Sequence, residues 1–459
     1  MTLDDIARAI DGTRTGSSAA EVSGFSIDTR TLRSGDLFFA IRGPRFDGHA
    51  FVADALARGA CGAVVGTPAG WDPTDPRPRI VVRDTVEALQ ALGAWVRRAS
   101  GTRVVAVTGS AGKTTTKEIA GDLVALRYRV FKTVGNLNNE IGLPLSLLEL
   151  RHRPDVAIVE LGMNHSGELR RLVRLAQPDV RVWTNVGEAH LGFFPSVDAI
   201  ADAKAEILDE STVDTVLIAN ANDPRVVARI GRFPGRVKTF GMDVDADVQA
   251  TDARDLGTDG TTATVRADGQ SLALSVPLLG LANLSNALAG MSVGLHFGLP
   301  LAAMVEAVAR LRPAAHRGVV RRLPGDVTVI DDAYNSNPSA LRAMLATLRA
   351  TAGTRRVAVL GEMLELGERS IDLHTRAGAD VRDAGVGLLI TIGGEPAGAL
   401  ADAAISAGMT PSAVVHVGTS AEAADLVAAR VRPGDVVLVK GSRGIGTELV
   451  VDRLLEGAG

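Results

Sequence analysis

The stretch of sequence that decides the fold is VVAVTGSAGKTT, residues 104–115. Residues 104–107 are an apolar run with the length of a buried strand, and residues 109–112 form a loop that begins and ends with glycine. A helical pattern over residues 116–126 follows at once. A strand, a glycine-rich loop and a helix in this order are the setting of a phosphate-binding loop. We therefore expect an α/β fold with a nucleotide phosphate site at residues 109–115.

This loop supplies the groups that bind nucleotide phosphates. Glycines let backbone N–H groups approach phosphate oxygens, Lys113 reaches the terminal phosphates and the Thr114 hydroxyl can ligate Mg2+. The common spacing G-x-x-x-x-G-K-[ST] would need a glycine at Val107, so this loop is a shorter G-x-x-G-K-T variant. An ordinary turn could also contain Gly-Lys-Thr, but the flanking strand and helix favour nucleotide binding. The predicted ATP-binding residues of the loop are Gly109, Ser110, Ala111, Gly112, Lys113, Thr114 and Thr115.

The composition excludes several classes of protein. Of the 459 residues, 46% are hydrophobic and 22% are charged, which is typical of a globular chain with large cores. Aromatic residues make up only 3% and the net charge is -4, so neither base stacking nor a basic surface supports nucleic-acid binding. The only cysteine, Cys61, excludes a disulfide within the chain and a thiolate metal cluster. The acidic N-terminus and the lack of a long apolar run predict a cytoplasmic enzyme without a membrane span.

The length of the chain predicts three domains. Residues 1–85 alternate short apolar runs with turns, contain the proline-rich segment 72–78 and indicate a small N-terminal α/β domain. Residues 86–312 predict a central ATPase domain, and residues 313–459 a C-terminal Rossmann-like domain. In the last two, apolar runs of strand length alternate with helical patterns, which is typical of βαβ units around a parallel sheet.

The predicted elements are as follows. Strands are expected at residues 80–82, 104–107, 156–159, 180–183, 216–218, 327–330, 357–360, 388–391, 414–417 and 436–439. Helices are expected at residues 86–99, 116–126 and 283–297. The polar segment 243–270 predicts an antiparallel excursion of the central sheet.

Two strand ends carry candidate metal ligands. Glu160 ends one predicted strand, and His190 follows another. Because the carboxyl ends of parallel strands share one edge of the sheet, both could converge on a metal beside the nucleotide. Taken alone, a glutamate at a strand end is usually solvated and a single histidine is usually structural. Lys204 lies in helical sequence and, by its pattern alone, indicates a surface lysine.

Taken together, these motifs resemble the Mur ligases, which build the cytoplasmic peptide precursor of the bacterial cell wall. The resemblance covers nearly the whole chain and is closest to the branch that adds a dipeptide to a tripeptide precursor. The segments that carry it are residues 108–115, 135–142, 160–164, 185–191, 204–207, 331–338, 360–367 and 440–443.

The resemblance implies a role for each predicted domain. The N-terminal domain would bind the uridine nucleotide, and the C-terminal domain would close over the ATP site. Asn286 and Arg317 match nucleotide-contact positions of the family, and Asp332 matches an acid that the closing domain brings to ATP. The implied uridine-substrate residues are Ser26, Asp28, Arg30, Asp47 and His49.

The implied reaction joins UDP-N-acetylmuramoyl-tripeptide to D-alanyl-D-alanine with ATP and Mg2+ as cofactors. Lys113, Lys204 and His190 are the implied catalytic residues. In related ligases the lysine that matches Lys204 is carbamylated and helps to hold a second Mg2+. The implied metal ligands are therefore Thr114, Glu160, His190 and carbamylated Lys204, and we expect a monomer.

Two other functions are alternatives to this interpretation. A ligase of the same family that adds a single amino acid to a dipeptide precursor would use the same machinery. A phosphate-loop switch without ligase chemistry would explain residues 109–115 but would leave the other two domains without a role. One position departs from the family pattern, because Ala282 stands where the family usually has a histidine.

Overall fold

The computed structural model describes residues 1–16, 21–43, 46–66, 76–189 and 191–457. The chain divides into two compact units. The first consists of Met1–Ala106, Tyr128–Met163 and Gly167–Asp179, and the second of Val107–Arg127, Asn164–Ser166 and Val180–Gly459. Strands alternate with helices in both units, which confirms the predicted α/β class.

The N-terminal part of the first unit is a small sheet with helices beside it. Its elements are α1 (Leu3–Ala9), β1 (Thr13–Thr15), β2 (Gly24–Ser26), β3 (Asp36–Phe39), α2 (Val52–Ala57), β4 (Gly62–Val65), β5 (Arg79–Val81) and α3 (Thr85–Ser100). Among the described residues the strand order is β1-β5-β4-β3-β2, with β2 to β5 parallel and β1 antiparallel. Phe38, Val52 and Ala63 are buried together, so α2 packs on this sheet.

A larger sheet is built from the middle of the chain. Its strands are β6 (Arg103–Thr108), β7 (Val130–Lys132), β8 (Val156–Glu160), β9 (Val180–Trp183), β10 (Val216–Asn220), β11 (Arg236–Met242), β12 (Val248–Asp255), β13 (Thr261–Ala267) and β14 (Gln270–Val276). The accompanying helices are α4 (Lys113–Val124), α5 (Gly142–Leu148), α6 (Glu168–Ala176), α7 (Val197–Lys204), α8 (Pro224–Ile230), α9 (Leu281–His296) and α10 (Leu301–Val308). In the described chain, the strands of the second unit have the order β14-β13-β12-β11-β10-β9, and β8 pairs with β7 in the first unit.

This sheet changes from parallel to antiparallel pairing along its length. Strand β7 is parallel to β8 in the first unit, and β9 to β12 are parallel neighbours in the second. Strands β12, β13 and β14 then pair antiparallel, which confirms the predicted excursion over residues 243–270. In β13, buried residues alternate with more accessible ones, as expected for a sheet with one face on a core.

The C-terminal part of the second unit is doubly wound, as predicted. Its elements are β15 (Val319–Leu323), β16 (Val327–Asp332), α11 (Pro338–Ala350), β17 (Arg355–Gly361), α12 (Ser370–Asp383), β18 (Leu388–Ile392), α13 (Glu395–Ser406), β19 (Val414–Val417), α14 (Ser420–Arg430), β20 (Asp435–Lys440) and α15 (Glu448–Glu456). The order within the described residues is β15-β16-β20-β17-β18-β19, and only β15 is antiparallel to its neighbour. Because β20 lies between β16 and β17, the loops that follow these three strands are adjacent, the arrangement in which α/β sheets bind ligands.

Every predicted strand is present, with bounds that agree within about two residues. The sequence missed β7, β11 and β15, which are short, half-buried or charged. It also missed the short strands β1 to β4 of the N-terminal part, although β3 and β4 are buried. Helix α4 begins at Lys113, earlier than the predicted residue 116, so Lys113 and Thr114 lie in its first turn. Part of the proline-rich segment 72–78 lies outside the described residues. Among the helices of the described chain, none combines the length and apolar character that a membrane crossing requires.

Candidate active site

The loop between β6 and α4 is fixed by the segment that follows β9. The backbone N–H of Ser110 donates to the carbonyl of Asn185 at 3.0 Å, and that of Ala111 donates to Asn185 Oδ1 at 2.9 Å. The hydroxyl of Ser110 accepts the N–H of Gly187 at 2.8 Å. The loop is therefore held in shape by hydrogen bonds to the segment that follows β9.

Gly112 allows the loop to sit directly against α9. Its φ is +79°, and a Cβ at this position would lie 2.2 Å from Oδ1 of Asn286. Asn286 is buried, accepts a hydrogen bond from the Thr116 hydroxyl at 3.3 Å and donates to Asn283 Oδ1 at 2.9 Å. A side chain on residue 112 would separate the loop from α9, so glycine is required here.

The first turn of α4 presents the charged and hydroxyl groups of the loop. Nζ of Lys113 donates to the carbonyl of Gly109 at 3.0 Å, so the ammonium lies over the loop. The Thr114 hydroxyl accepts a hydrogen bond from Nη2 of Arg317 at 3.3 Å. The partial positive charge of the helix N-terminus adds to both cations. The second unit thus brings together four of the predicted residues: Lys113, Thr114, Asn286 and Arg317.

A cleft opens beside this turn. It is lined by Thr115 and neighbouring residues of α4, by Asn283 and by the segment 311–314 together with Arg317. Ala282, at the position where the family usually has histidine, is exposed, and Asn283 is the residue of α9 that lines the cleft. A cleft next to a phosphate loop is suited to the nucleoside part of a bound nucleotide.

Lys204 is buried, so the interpretation of its pattern as a surface lysine is wrong. It is the last residue of α7 and only 1% of its surface is exposed. Burial, together with the positive charge of Lys113, lowers the pKa of the Lys204 amine well below its usual range. A neutral amine is the form of lysine that reacts with carbon dioxide. The burial was not predictable from the pattern of α7, because the segment itself does not reveal which residues distant in sequence cover its last residue.

Arg181, a buried residue that the sequence analysis did not identify, holds the turn after Lys204. Arg181 on β9 donates to the carbonyls of Ile207, Asp209 and Glu210, the last at 3.1 Å. Burial lowers the pKa of the Arg181 guanidinium to about 10. The carbonyls that follow α7 are thereby fixed to the central sheet, which sets the position of Lys204.

Glu160 is described within the first unit. It ends β8, is only 3% exposed and accepts a hydrogen bond from Nδ2 of Asn138 at 2.8 Å. His190, the other strand-end candidate, lies outside the described residues. Among the residues that the structure describes, no three His, Cys, Asp or Glu side chains cluster as a metal site.

Asp332 lies at the end of β16 and is paired with a lysine. Nζ of Lys440, at the end of β20, donates to Asp332 Oδ2 at 2.6 Å and to the carbonyl of Asn335 at 2.8 Å. Lys440 is buried, and the two residues are register partners of the parallel strands β16 and β20. The predicted ATP-site acid is therefore held in a fixed position.

The predicted uridine-site residues form two hydrogen-bonded turns in the first unit. Arg30 donates to both carboxylate oxygens of Asp28, at 2.6 Å in the shortest contact, and lowers the pKa of Asp28 to about 2. The hydroxyl of Ser26 donates to the Asp28 carbonyl at 2.9 Å. Arg30 is exposed, so its remaining N–H groups face solvent.

Asp47 and His49 form the second turn. The backbone N–H and the ring of His49 both contact Asp47 Oδ1, and they lower the pKa of Asp47 to about 2. Nε2 of His49 accepts the backbone N–H of Gly66 at 2.8 Å, so Nδ1 carries the proton. His49 thus links this turn to the end of β4.

Family profiles match three parts of the chain. Residues 21–97 match the profile described as Mur ligase family, catalytic domain. Residues 107–294 match the Mur ligase middle domain, and residues 316–443 match the Mur ligase, glutamate ligase domain. The three matches occur in the order of the three predicted domains.

Individual relatives extend over the full length. The chain is 33% identical to UDP-N-acetylmuramoyl-tripeptide--D-alanyl-D-alanine ligase from Bacillus subtilis over 463 residues, 99% of this chain and 98% of the relative. It is 36% identical to the protein of the same name from Synechocystis over 441 residues, 95% of this chain and 92% of the relative.

The chain is also similar, over nearly its full length, to solved structures. The MurF structure from Acinetobacter baumannii superposes with a TM-score of 0.89 at 32% identity and covers 99% of this chain and 98% of its own. MurF from Thermotoga maritima, solved in complex with ADP, gives a TM-score of 0.84 at 29% identity and covers 96% and 99%. The fold and the phosphate loop, with these matches, define an ATP-dependent ligase of the three-domain α/β class. The chain belongs to the Mur ligase family.

Proposed function

We propose that the chain joins D-alanyl-D-alanine to UDP-N-acetylmuramoyl-tripeptide, with conversion of ATP to ADP and phosphate, in the synthesis of cell-wall precursor. The observation that carries the proposal is the similarity, over nearly the full chain, to relatives that bear the name of this activity. We further propose the domain bounds 1–85, 86–312 and 313–459, a cytoplasmic location and a monomeric enzyme.

The reaction must activate a carboxylate. A free carboxylate is a poor acyl donor, but attack of its oxygen on the γ-phosphorus of ATP releases ADP and gives an acyl phosphate. The amino group of the dipeptide attacks the acyl carbon, a tetrahedral intermediate forms, and its collapse expels phosphate and leaves an amide. The first step brings two anions together, so fixed positive charge is essential.

The second unit provides that charge at the phosphate loop. In this proposal the backbone N–H groups at the N-terminus of α4 face the bound phosphates, and Lys113 neutralises the terminal ones. The contact between Arg317 and the Thr114 hydroxyl supports a second cation at the same phosphates. Asn286 and the cleft beside it would take the adenosine, and Asp332, held by Lys440, would contact the nucleotide from the C-terminal domain.

Mg2+ fits the donor set of the proposed site. Thr114 offers a hydroxyl oxygen and Glu160 a buried carboxylate, and Mg2+ prefers oxygen ligands of these kinds. Thr114, Glu160, His190 and carbamylated Lys204 would hold it. When bound, Mg2+ would neutralise phosphate charge and polarise the phosphoryl group. The depressed pKa of Lys204 supports the carbamate, because the neutral amine can add to CO2 with loss of one proton.

The uridine substrate would bind at the two turns of the N-terminal domain. Arg30 is exposed, and Asp28 fixes its position through three hydrogen bonds from the guanidinium, which supports an anion contact. Ser26 lies in the same turn. Asp47 and His49 would shape the second side of the site, where Asp47 binds the His49 ring and His49 accepts the N–H of Gly66.

The test supplies each precursor separately. The protein is incubated with ATP, Mg2+ and UDP-N-acetylmuramoyl-tripeptide or the corresponding dipeptide, together with D-alanyl-D-alanine or single amino acids. Mass spectrometry of the product and phosphate release are measured. We expect extension of the tripeptide by D-alanyl-D-alanine with one phosphate for each amide. Efficient extension of the dipeptide by one amino acid would overturn the substrate assignment, and hydrolysis of ATP unaffected by peptide substrates would overturn the ligase assignment.

A further inference from the structure

We propose that Tyr334 is a positioning residue that holds Arg317 toward the phosphate loop. Tyr334 lies in the loop after β16, close in sequence to Asp332, and is half-buried. The inference rests on the proposed function, because it concerns the ATP phosphates, and it adds a residue to which no role has been given so far.

The first observation is a stacked pair. The guanidinium carbon of Arg317 lies 4.0 Å from the centroid of the Tyr334 ring, which is within the range of a cation–π contact. The same guanidinium donates through Nη2 to the Thr114 hydroxyl. An arginine side chain has many rotamers, and the flat ring selects those that direct the guanidinium to α4.

The second observation is that the backbone before Arg317 is bound to the same loop. The N–H of Tyr334 donates to the carbonyl of His316 at 3.0 Å. Nδ1 of His316 is 2.9 Å from Oδ2 of Asp331, a carboxylate that is only 2% exposed. His316 has a φ of +57°, a conformation that a side chain other than glycine adopts only when its surroundings fix it. Both the main chain and the side chain at residues 316–317 are therefore held by the segment 331–334.

The third observation is a second arginine on the same ring. The guanidinium of Arg443, which follows β20, lies 5.3 Å from the Tyr334 centroid, and its Nη1 donates to the tyrosine hydroxyl at 3.4 Å. Tyr334 thus contacts two guanidinium groups from distant parts of the sequence, one through its ring and one through ring and hydroxyl. The ring therefore lies between Arg317 and Arg443, and its contact with Arg317 does not involve the hydroxyl.

The experiment distinguishes the contribution of the Tyr334 ring from that of its hydroxyl. Tyr334→Phe keeps the stacking surface, and Tyr334→Leu removes it. Tyr128→Leu is the matched control, because Tyr128 is the other of the two tyrosines and its ring lies 4.9 Å from the guanidinium of Arg103. The affinity for a non-hydrolysable ATP analogue is measured by calorimetry, and KM for ATP, kcat and Tm are measured alongside.

We expect Tyr334→Leu to weaken analogue binding and to raise KM for ATP about tenfold, while Tyr334→Phe and Tyr128→Leu stay within about twofold of the wild type. If Tyr334 had a purely structural role, Tyr334→Leu would lower Tm without this selective change in ATP affinity. In an Arg317→Ala background, Tyr334→Leu should cause no further loss. Unchanged affinity in Tyr334→Leu, or an equal loss in both backgrounds, would overturn the proposal.

Arg317→Lys gives a second measurement should Tyr334→Leu not fold. It keeps the charge and the tyrosine but removes the flat guanidinium, and we expect the same weakening of analogue binding. Wild-type affinity in this variant would overturn the positioning role. Because analogue binding needs no peptide substrate, these results are independent of whether the ligation assay supports the proposed reaction.

Discussion

A Cβ atom on Gly367 would lie only 2.6 Å from the Cα of Gly192. The N–H of Gly192 also donates to the carbonyl of Glu365 at 3.0 Å, and Glu365 itself has a φ of +64°. Gly192 follows β9, and Gly367 follows β17, so the loops of two different sheets meet backbone to backbone. An approach this close is possible because both residues lack a side chain.

The first prediction concerns this contact. A Cβ on Gly192 would lie 2.9 Å from the nitrogen of Gly367 and 3.0 Å from the oxygen of Glu365. We expect Gly192→Ala to lower kcat of the ligation about tenfold or more, because the two loops must separate. The free energy of unfolding should fall by about 1 kcal/mol. Steady-state kinetics and urea unfolding measure the two effects.

Gly231→Ala is the control for this substitution. Gly231 has a helical φ of -61°, and no atom lies near the position of its Cβ. Both kcat and the free energy of unfolding should remain close to those of the wild type. Wild-type turnover in Gly192→Ala would show that the contact between the loops is not needed for ligation.

The second prediction concerns the phosphate loop. Lys113→Ala removes the ammonium that lies over Gly109, and kcat/KM for ATP should fall roughly 100- to 1,000-fold because phosphate charge is no longer neutralised. Lys238→Ala, on β11, removes a half-buried lysine elsewhere in the same sheet and should leave kcat/KM unchanged. Equal activity of the two variants would contradict the role of Lys113.

The third prediction is a pH dependence of stability. The pKa of Lys204 is lowered in the folded protein, so the unfolded chain binds a proton there that the folded chain does not. In buffer free of CO2, this group should make the wild type less stable as the pH falls from its unfolded pKa toward its folded pKa. Lys204→Met removes the dependence, and it should stabilise the protein at pH 7 by about 0.5–2 kcal/mol while ligation is lost.

Urea unfolding of the wild type and Lys204→Met between pH 7 and pH 10 measures the difference. The two free energies should converge as the pH rises. Curves that run parallel over this range would mean that Lys204 is not held as a neutral amine.

The fourth prediction concerns Mg2+. Glu160→Gln keeps the size of the side chain and replaces a carboxylate oxygen by an amide, so the Mg2+ concentration for half-maximal ligation should rise at least about tenfold. Glu140→Gln is the control, because Glu140 forms a surface ion pair with Arg171 at 2.6 Å. Titration of activity with Mg2+ at saturating ATP gives both values, and identical curves for the two variants would remove Glu160 from the metal site.

The apolar runs predicted the buried strands well. The bounds of β9 and β19 match the predicted residues 180–183 and 414–417. The missed strands have more than one cause. In the N-terminal part β3 and β4 are buried but only four residues long, too short to stand out as apolar runs. Strand β15 has the sequence VVRRL and pairs on one side only in the described sheet. Pairing with the neighbouring strand stabilises such a segment more than the β-propensity of its own residues does. The sequence of the segment alone therefore does not reveal the strand.

Some residues of the candidate site were predictable from the sequence, and others were not. The phosphate loop was predictable because its chemistry is local: Gly109, Gly112, Lys113 and Thr114 are consecutive or nearly so. The burial of Lys204 and the role of Arg181 were not predictable, because each depends on atoms distant in sequence. Arg181 is bound by carbonyls that follow Lys204, and the pKa of Lys204 responds to Lys113. Such contacts exist only once the tertiary structure has formed.

The ion pair between Asp332 and Lys440 has a consequence for inhibitor design. An inhibitor that directs an ammonium at Asp332 would compete with a cation that the protein already holds 2.6 Å away, and would gain little. Lys440 uses two of its three N–H groups, on Asp332 and on the carbonyl of Asn335. Lys440 is itself buried, so a compound that reaches Asp332 meets a carboxylate that is already neutralised, and neutral groups should be preferred over amines there.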